Sequence, residues 1–161
     1  MNIRLAAHAD LAPINDIYNH YVLHSTCTYQ EVPERIEDRR LWFNQHDEKH
    51  PVIVAVADEQ VVGWGSLSPF HARSAYRHTV ENSIYLHHEY QRQGIGSIVL
   101  QELITRARIL GHHVIIAGMD GEQTASMALH TKFNFEKVGH LKRVGFKFNR
   151  WLDVIYAESM L

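Results

Sequence analysis

The chain has 161 residues, and its composition excludes several classes of protein before any motif is considered. The 16 Lys and Arg residues stand against 18 Asp and Glu residues, and this balance argues against a nucleic-acid-binding protein. The single cysteine excludes a disulfide framework and a CxxC motif. Neither a membrane-spanning stretch nor a signal peptide is predicted. We therefore expect one cytoplasmic domain, residues 1–161, with no membrane or nucleic-acid partner.

The first half of the chain predicts a strand, two helices and three further strands. The helices rest on apolar residues at helical spacing, with Asp10 as a good N-cap for the first. Two β-branched runs separated by three polar residues, 58–60, predict a hairpin. These elements span residues 2–6 (strand), 10–23 and 34–45 (helices), 52–57 and 61–67 (hairpin), and 79–87 (strand).

The second half predicts a strong helix, which is followed by a strand, a helix and two strands. The helix over 94–110 carries one apolar stripe and ends at Gly111, a typical C-cap residue. The remaining elements span 114–117 (strand), 124–133 (helix), 136–143 and 151–158 (strands). Because helices and strands do not alternate strictly, the order predicts an α/β fold with a mixed sheet and helices on both faces.

The most informative segment is a glycine-containing turn between the strand over 79–87 and the helix over 94–110. It consists of Gln91, Arg92, Gln93, Gly94, Ile95, Gly96 and Ser97. Glycines allow a tight turn, and the N–H groups at a helix start bind anions such as phosphate. No lysine follows as in a P-loop, and Val99 stands where a dinucleotide motif needs glycine. A plain strand-to-helix turn remains the alternative on these residues alone.

The pattern Q-x-x-G-x-G, in this position, resembles the acyl-CoA loop of the GCN5-related N-acetyltransferases, and the element order resembles that fold over essentially the whole chain. The resemblance implies that the amides of 91–97 hold the pyrophosphate of acetyl-CoA. It also implies that the pantetheine arm lies beside Tyr85, Leu86 and His87, with a backbone N–H near Leu86 as oxyanion donor. Gln123 stands where the superfamily usually has an asparagine, so it either reaches the same group or has lost the contact.

Further strings resemble the phosphinothricin and methionine sulfoximine acetyltransferase branch of that superfamily. They lie at 17–21, 25–29, 72–76, 81–85, 145–147 and 149–154. This resemblance implies acetylation of the α-amine of small amino acids or analogues such as phosphinothricin, methionine sulfoximine or methionine sulfone. It also implies direct transfer from acetyl-CoA without an acetyl-enzyme, and a homodimer.

Two residues are candidates for proton transfer. Glu81 is a carboxylate inside a predicted central strand, which is costly unless the group is paired or functional. An ion pair with Arg73 or Arg77 is the alternative, but the resemblance implies that Glu81 is the general base. His130 stands where this branch has histidine and many relatives have tyrosine, which implies a general acid for the departing thiolate.

For the acceptor, Arg73 can grip a carboxylate in two hydrogen bonds, and Tyr29 and Tyr76 can line the pocket. No histidine spacing predicts a metal site. Two alternatives remain open. One is acetylation of a protein N-terminus or a polyamine, against which Arg73 and Arg77 argue mildly. The other is a module that binds CoA without turnover.

Overall fold

The computed structural model describes all residues from 1 to 161 and forms one seven-stranded mixed sheet with four α-helices. The strands lie in the order β1-β2-β3-β4-β5-β7-β6, and only β4 and β5 are parallel neighbours. The elements are β1 (Asn2–Leu5), α1 (Leu11–His24), α2 (Ile36–Asn44), β2 (Val52–Ala57), β3 (Gln60–Pro69), β4 (Thr79–Leu86), α3 (Ile95–Ile109), β5 (Val114–Asp120), α4 (Thr124–Lys132), β6 (Glu136–Lys147) and β7 (Arg150–Met160). The predicted fold class is confirmed.

The sheet separates two apolar cores, as the alternation of strand residues requires. In β4, Val80 and Ile84 belong to the core beneath α3. Tyr85 points to the opposite face and packs with Trp64 under α1 and α2. Helices therefore cover both sides of β4, and the side chains of successive β4 residues point alternately to the two sides.

The parallel pairing of β4 with β5 is short, and a gap opens where it stops. The last partners are Glu81 and Ile116. Beyond this pair β4 continues beside β3 alone, as far as Leu86. In the same way β5 continues beside β7 alone, as far as Asp120. The two antiparallel parts of the sheet thus separate, and they leave a cleft between β4 and β5.

The hairpin of β6 and β7 is longer than the sequence predicts. β6 was expected to end at residue 143, but it extends to Lys147. The connecting turn has only two residues, Phe148 and Asn149, and both adopt positive φ, 50° and 59°. Two such residues match the twist of a tight hairpin, so pairing continues to the turn. No helix in the structure is both long and apolar enough to cross a membrane.

Candidate active site

The backbone of β4 offers hydrogen-bonding groups to the gap between β4 and β5. His87 donates its N–H to Val62 O at 2.9 Å, and Phe70 N–H reaches Thr79 O at 3.3 Å. Since peptide groups alternate in direction along a strand, Ile84 and Leu86 turn theirs away from β3 and into the gap. These two residues therefore provide backbone donors and acceptors that no neighbouring strand uses.

This alternation divides the three β4-side residues that the resemblance places beside a pantetheine arm. The peptide groups of Tyr85 point to β3, and its ring is stacked on Trp64 with centroids 5.0 Å apart. The N–H of His87 is occupied by Val62. Of the three, only Leu86 faces the gap.

Leu86 is held by a residue that the sequence did not single out. Tyr21 in α1 donates its hydroxyl to Leu86 O at 2.5 Å, and Gln91 Nε2 donates to the Tyr21 oxygen at 2.7 Å. Gln91 thus fixes the start of the glycine turn against α1 and β4. Tyr21 lies within one of the strings that suggested the family, but the sequence did not indicate this contact.

The glycine turn presents a row of unused donors. Gly94 has φ +81° and Arg92 has φ +59°, and none of the N–H groups from Arg92 to Gly96 donates to another backbone group. A methyl group at Gly96 would lie 3.3 Å from Leu129 Cδ2, so α3 begins close to α4. The helix dipole adds positive potential at these donors. The turn is therefore suited to bind a phosphate group.

Side chains around the turn add to this character. Arg92 and Gln93 are exposed, and Gln93 Nε2 donates to Glu89 O at 3.2 Å. Ser97 Oγ accepts from Lys132 Nζ in α4 at 3.2 Å. Lys132 brings a second cation beside Arg92, and only the packing of α4 against α3 reveals it.

Gln123 turns its amide toward the loop after α1. Its Nε2 donates to Thr26 Oγ1 at 3.3 Å. Thr26 in turn donates to Asp120 at the end of β5 at 2.5 Å. The amide is thus engaged on the α1 side of the gap, and its oxygen and second N–H remain for other contacts.

Glu81 is the last residue of β4 that pairs with β5, so its carboxylate lies at the closed end of the gap. It makes no ion pair, which excludes the alternative of a bridge to Arg73 or Arg77. Burial raises the pKa of Glu81 above its usual range, and a protonated His71 acts in the opposite direction. A carboxylate with a raised pKa is a better proton acceptor for an amine.

His130 lies on the other face of the sheet, buried beneath the gap. Its Nδ1 is 2.8 Å from Ser126 O, which can only accept, so this nitrogen carries the proton. Its Nε2 faces the Asn82 amide nitrogen at 3.0 Å and accepts from it. Burial lowers the pKa of His130. A neutral ring in this tautomer has no proton on Nε2, so the predicted general acid would first have to take up a proton at that nitrogen.

The residues predicted to line the acceptor pocket belong to two different loops. The Tyr29 hydroxyl donates to Asp120 Oδ1 at 2.9 Å and also contacts the Asp153 carbonyl oxygen, so it is already engaged. Tyr76 and Arg73 are exposed in the loop between β3 and β4, where Tyr76 packs edge-on against His71 at 5.0 Å. His71 connects this loop to Glu81, whereas Tyr29 braces the opposite wall.

Neither a metal site nor a reactive thiol is found beside these residues. No cluster of three or more His, Cys, Asp or Glu side chains is arranged to hold a metal ion. The thiol of Cys27 is half-buried, and burial raises its pKa, so the reactive thiolate is disfavoured.

The sequence and the fold both match known acetyltransferases. Residues 14–135 match the acetyltransferase (GNAT) family. The L-methionine sulfoximine/L-methionine sulfone acetyltransferase of Salmonella typhimurium is 35% identical, over 100% of this chain and 95% of its own length. A GNAT phosphinothricin acetyltransferase from Sinorhizobium meliloti, solved with acetyl-CoA, is 38% identical with a TM-score of 0.96, covering 99% of this chain and 88% of its own.

A third relative carries a different substrate in its name. The ribosomal-protein-alanine N-acetyltransferase of Brucella melitensis is 40% identical with a TM-score of 0.96, and the match covers 100% of both chains. The family match and the full-length relatives confirm the resemblance on which the sequence interpretation depended. The chain therefore belongs to the acetyltransferase (GNAT) family.

Proposed function

We propose that this protein transfers the acetyl group of acetyl-CoA to the α-amine of a small amino acid or amino-acid analogue. The observation that carries the proposal is the position of Glu81 at the closed end of the gap, beside backbone groups of Leu86 that no strand uses. Gly118, on the Glu81 face of β5, is exposed, so an amine can reach Glu81 from that face and meet a thioester in the gap.

The residues present suit acetyl-CoA. The N–H groups of Arg92–Gly96 and the cations of Arg92 and Lys132 would hold the pyrophosphate. The amide-bearing pantetheine arm would pair with the peptide groups of Ile84 and with the Leu86 N–H, which otherwise stay without a partner. Gln91 would act indirectly, because its side chain fixes Tyr21 against Leu86.

The chemistry follows from the two sides of the gap. Glu81 takes a proton from the ammonium group, directly or through a water, and the freed amine attacks the thioester carbonyl. The Leu86 N–H stabilises the developing oxyanion. The C–S bond then breaks, the CoA thiolate leaves, and the extra proton on the attacking nitrogen passes through solvent to the thiolate. Alignment of both substrates supplies the largest share, about 7–11 kcal/mol in well-oriented systems.

The acceptor class is supported by charge and by the named relatives. Arg73 is exposed and makes no ion pair, so its guanidinium is available for the substrate carboxylate. Relatives named for methionine sulfoximine and phosphinothricin acetylation are similar over the full length. A second candidate is the N-terminal amine of a protein, which the Brucella melitensis relative favours. The exposure of the Arg73–Tyr76 loop would admit a peptide.

A panel assay of CoA thiol release tests the proposal. Phosphinothricin, methionine sulfoximine, methionine sulfone, spermidine and an alanine-starting peptide serve as acceptors. We expect saturable turnover with the amino-acid analogues, and a loss of about 10²–10⁴-fold in Glu81→Gln with acetyl-CoA binding unchanged. Glu37→Gln, at an exposed position on α2, is the matched control. Turnover confined to the peptide would show that the acceptor is a protein N-terminus, and wild-type turnover in Glu81→Gln would show that Glu81 is not the general base. No turnover in the wild type, with acetyl-CoA still bound, would favour a non-catalytic module.

We also propose that the protein forms a homodimer through the β6–β7 hairpin. β6 is an edge strand, and the hairpin exposes apolar side chains that a lone domain would leave in water. These are Val138, Leu141, Val144, Phe146, Phe148 and Trp151. Light scattering should give twice the chain mass for the wild type and a monomer for Trp151→Glu. A monomeric wild type at micromolar concentration would refute this assembly.

A further inference from the structure

The carboxylate of Glu81 meets an aromatic ring above a glycine of β5. A Cβ atom placed on Gly118 would lie 3.3 Å from Glu81 Oε1 and 3.3 Å from Tyr156 Cε1. Both groups therefore occupy the space that any side chain at this position would need. Gly118 is itself exposed, so this space opens to solvent on the acceptor side of the sheet.

Strand register brings the three residues together. Glu81 pairs with Ile116, and Gly118 follows two residues later on the same face of β5. Tyr156 of β7 is the direct antiparallel neighbour of Gly118. Side chains of direct neighbours lie on the same face, so the Tyr156 ring reaches across the bare glycine toward Glu81.

We propose that Tyr156 is a positioning residue for the general base, and that Gly118 provides the space in which ring and carboxylate meet. This inference rests on the proposed role of Glu81. The ring limits the rotamers of the Glu81 side chain and shields the carboxylate from water on the β7 side. The carboxylate is thereby held at the closed end of the gap, facing the acceptor amine.

Other charged and titratable groups also face Glu81. His71 approaches from the loop between β3 and β4, and a positive charge there favours the carboxylate form and lowers the pKa of Glu81. His46 lies behind Ser68, the β3 neighbour of Glu81, and is 3.1 Å from the Ser68 hydroxyl. Asp120 on β5 and Glu158 on β7 share this face of the sheet. None of these side chains occupies the space above Gly118, so the shielding on that side belongs to Tyr156.

The pH dependence of kcat/KM for the best acceptor tests the inference in Tyr156→Ala and Tyr156→Phe. In Tyr156→Ala, water reaches Glu81, its pKa falls, and the acidic limb of the profile moves to lower pH. We expect kcat to fall by about ten- to a hundredfold, because the base is no longer aligned, while the KM for acetyl-CoA stays unchanged. Tyr156→Phe retains the ring and should match the wild type in both respects.

A control and a second variant keep the result decisive. Val154→Ala removes a neighbouring side chain from the same face of β7 and should leave the acidic limb in place. Gly118→Ala puts a methyl group between ring and carboxylate, and should move the limb even if Tyr156→Ala folds poorly. An unmoved limb in both variants, or an equal loss in Tyr156→Phe, overturns the positioning role. If Glu81→Gln itself keeps full turnover, the assignment of the base fails instead.

Discussion

Lys147 is the buried cation on which we expect the loop after α1 to depend. It is only 2% exposed and has no carboxylate partner. Its ammonium group donates to three main-chain oxygens, those of Ser25 at 2.6 Å, Thr28 at 2.8 Å and Tyr21 at 3.4 Å. All three lie at the end of α1 or just beyond it, where the helix dipole is negative. One side chain from β6 thus holds the segment that carries Thr26 and Tyr29.

The cost of replacing this ammonium can be worked out from its contacts. A hydrogen bond to a charged group contributes about 1.5–3 kcal/mol, so the two short bonds together contribute about 3–6 kcal/mol. In Lys147→Met the carbonyl oxygens of Ser25 and Thr28 lose the ammonium group, whereas Tyr21 O keeps its hydrogen bond from Ser25 N–H at 3.0 Å. The cost of burying a charge disappears, and the apolar side chain fills the space. We expect a net loss of about 3 kcal/mol in the free energy of unfolding.

Urea unfolding at a fixed protein concentration measures this loss. The midpoint should fall while the slope m stays constant, and the melting temperature should fall by about 6–12 °C. Lys142→Met, at an exposed position of the same strand, should change stability by less than about 0.5 kcal/mol. A loss below about 1 kcal/mol in Lys147→Met would refute the claim that the Ser25 and Thr28 carbonyl oxygens depend on this ammonium group.

Three further results are expected. Gly94→Ala should cost about 1–2 kcal/mol of stability, because Gly94 has φ +81°, a left-handed conformation that alanine adopts only with strain. No atom lies within 4 Å of the new Cβ, so the backbone and not a clash is the cause. The same change should weaken acetyl-CoA binding, as calorimetry would measure. Arg4 lowers the pKa of Asp10 by a side-chain hydrogen bond. The difference in unfolding free energy between the wild type and Asp10→Asn should therefore be largest above about pH 5, and it should decrease as the pH falls below about 4. In Asn82→Asp, the new carboxylate should accept a hydrogen bond from the protonated Nε2 of His130 and so raise the pKa of that ring, read by NMR; an unchanged pKa would refute the Asn82–His130 contact.

Local signals in the sequence were enough to predict most of the fold. The order of the elements follows from hydrophobic periodicity, and the glycine turn follows from the residues at its start. Gly94 was identified as a turn glycine, and its φ of +81° confirms that reading. In each case the determining residues are neighbours in the chain, so no tertiary contact had to be known.

The contacts that join distant strands could not be predicted in this way. Gly118 gave no sequence signal, because its importance depends on the register that sets Tyr156 beside it and Glu81 across from it. Tyr29 was expected in the acceptor pocket, since a tyrosine side chain in a loop can line a binding pocket. In the structure the Tyr29 hydroxyl donates a hydrogen bond to Asp120, a residue that comes close to Tyr29 only when β5 is in place.

The gap between β4 and β5 explains why the candidate site needs so few charged side chains. Where two strands separate, their peptide groups lose partners, and buried peptide groups without partners are costly. Part of this cost is offset within the chain, because Tyr21 donates to Leu86 O. The Leu86 N–H and the peptide groups of Ile84 have no such partner. An extended ligand with amides of its own, lying in the gap, would satisfy them, which is why we expect acetyl-CoA to stabilise the separated strands as well as to supply the acetyl group.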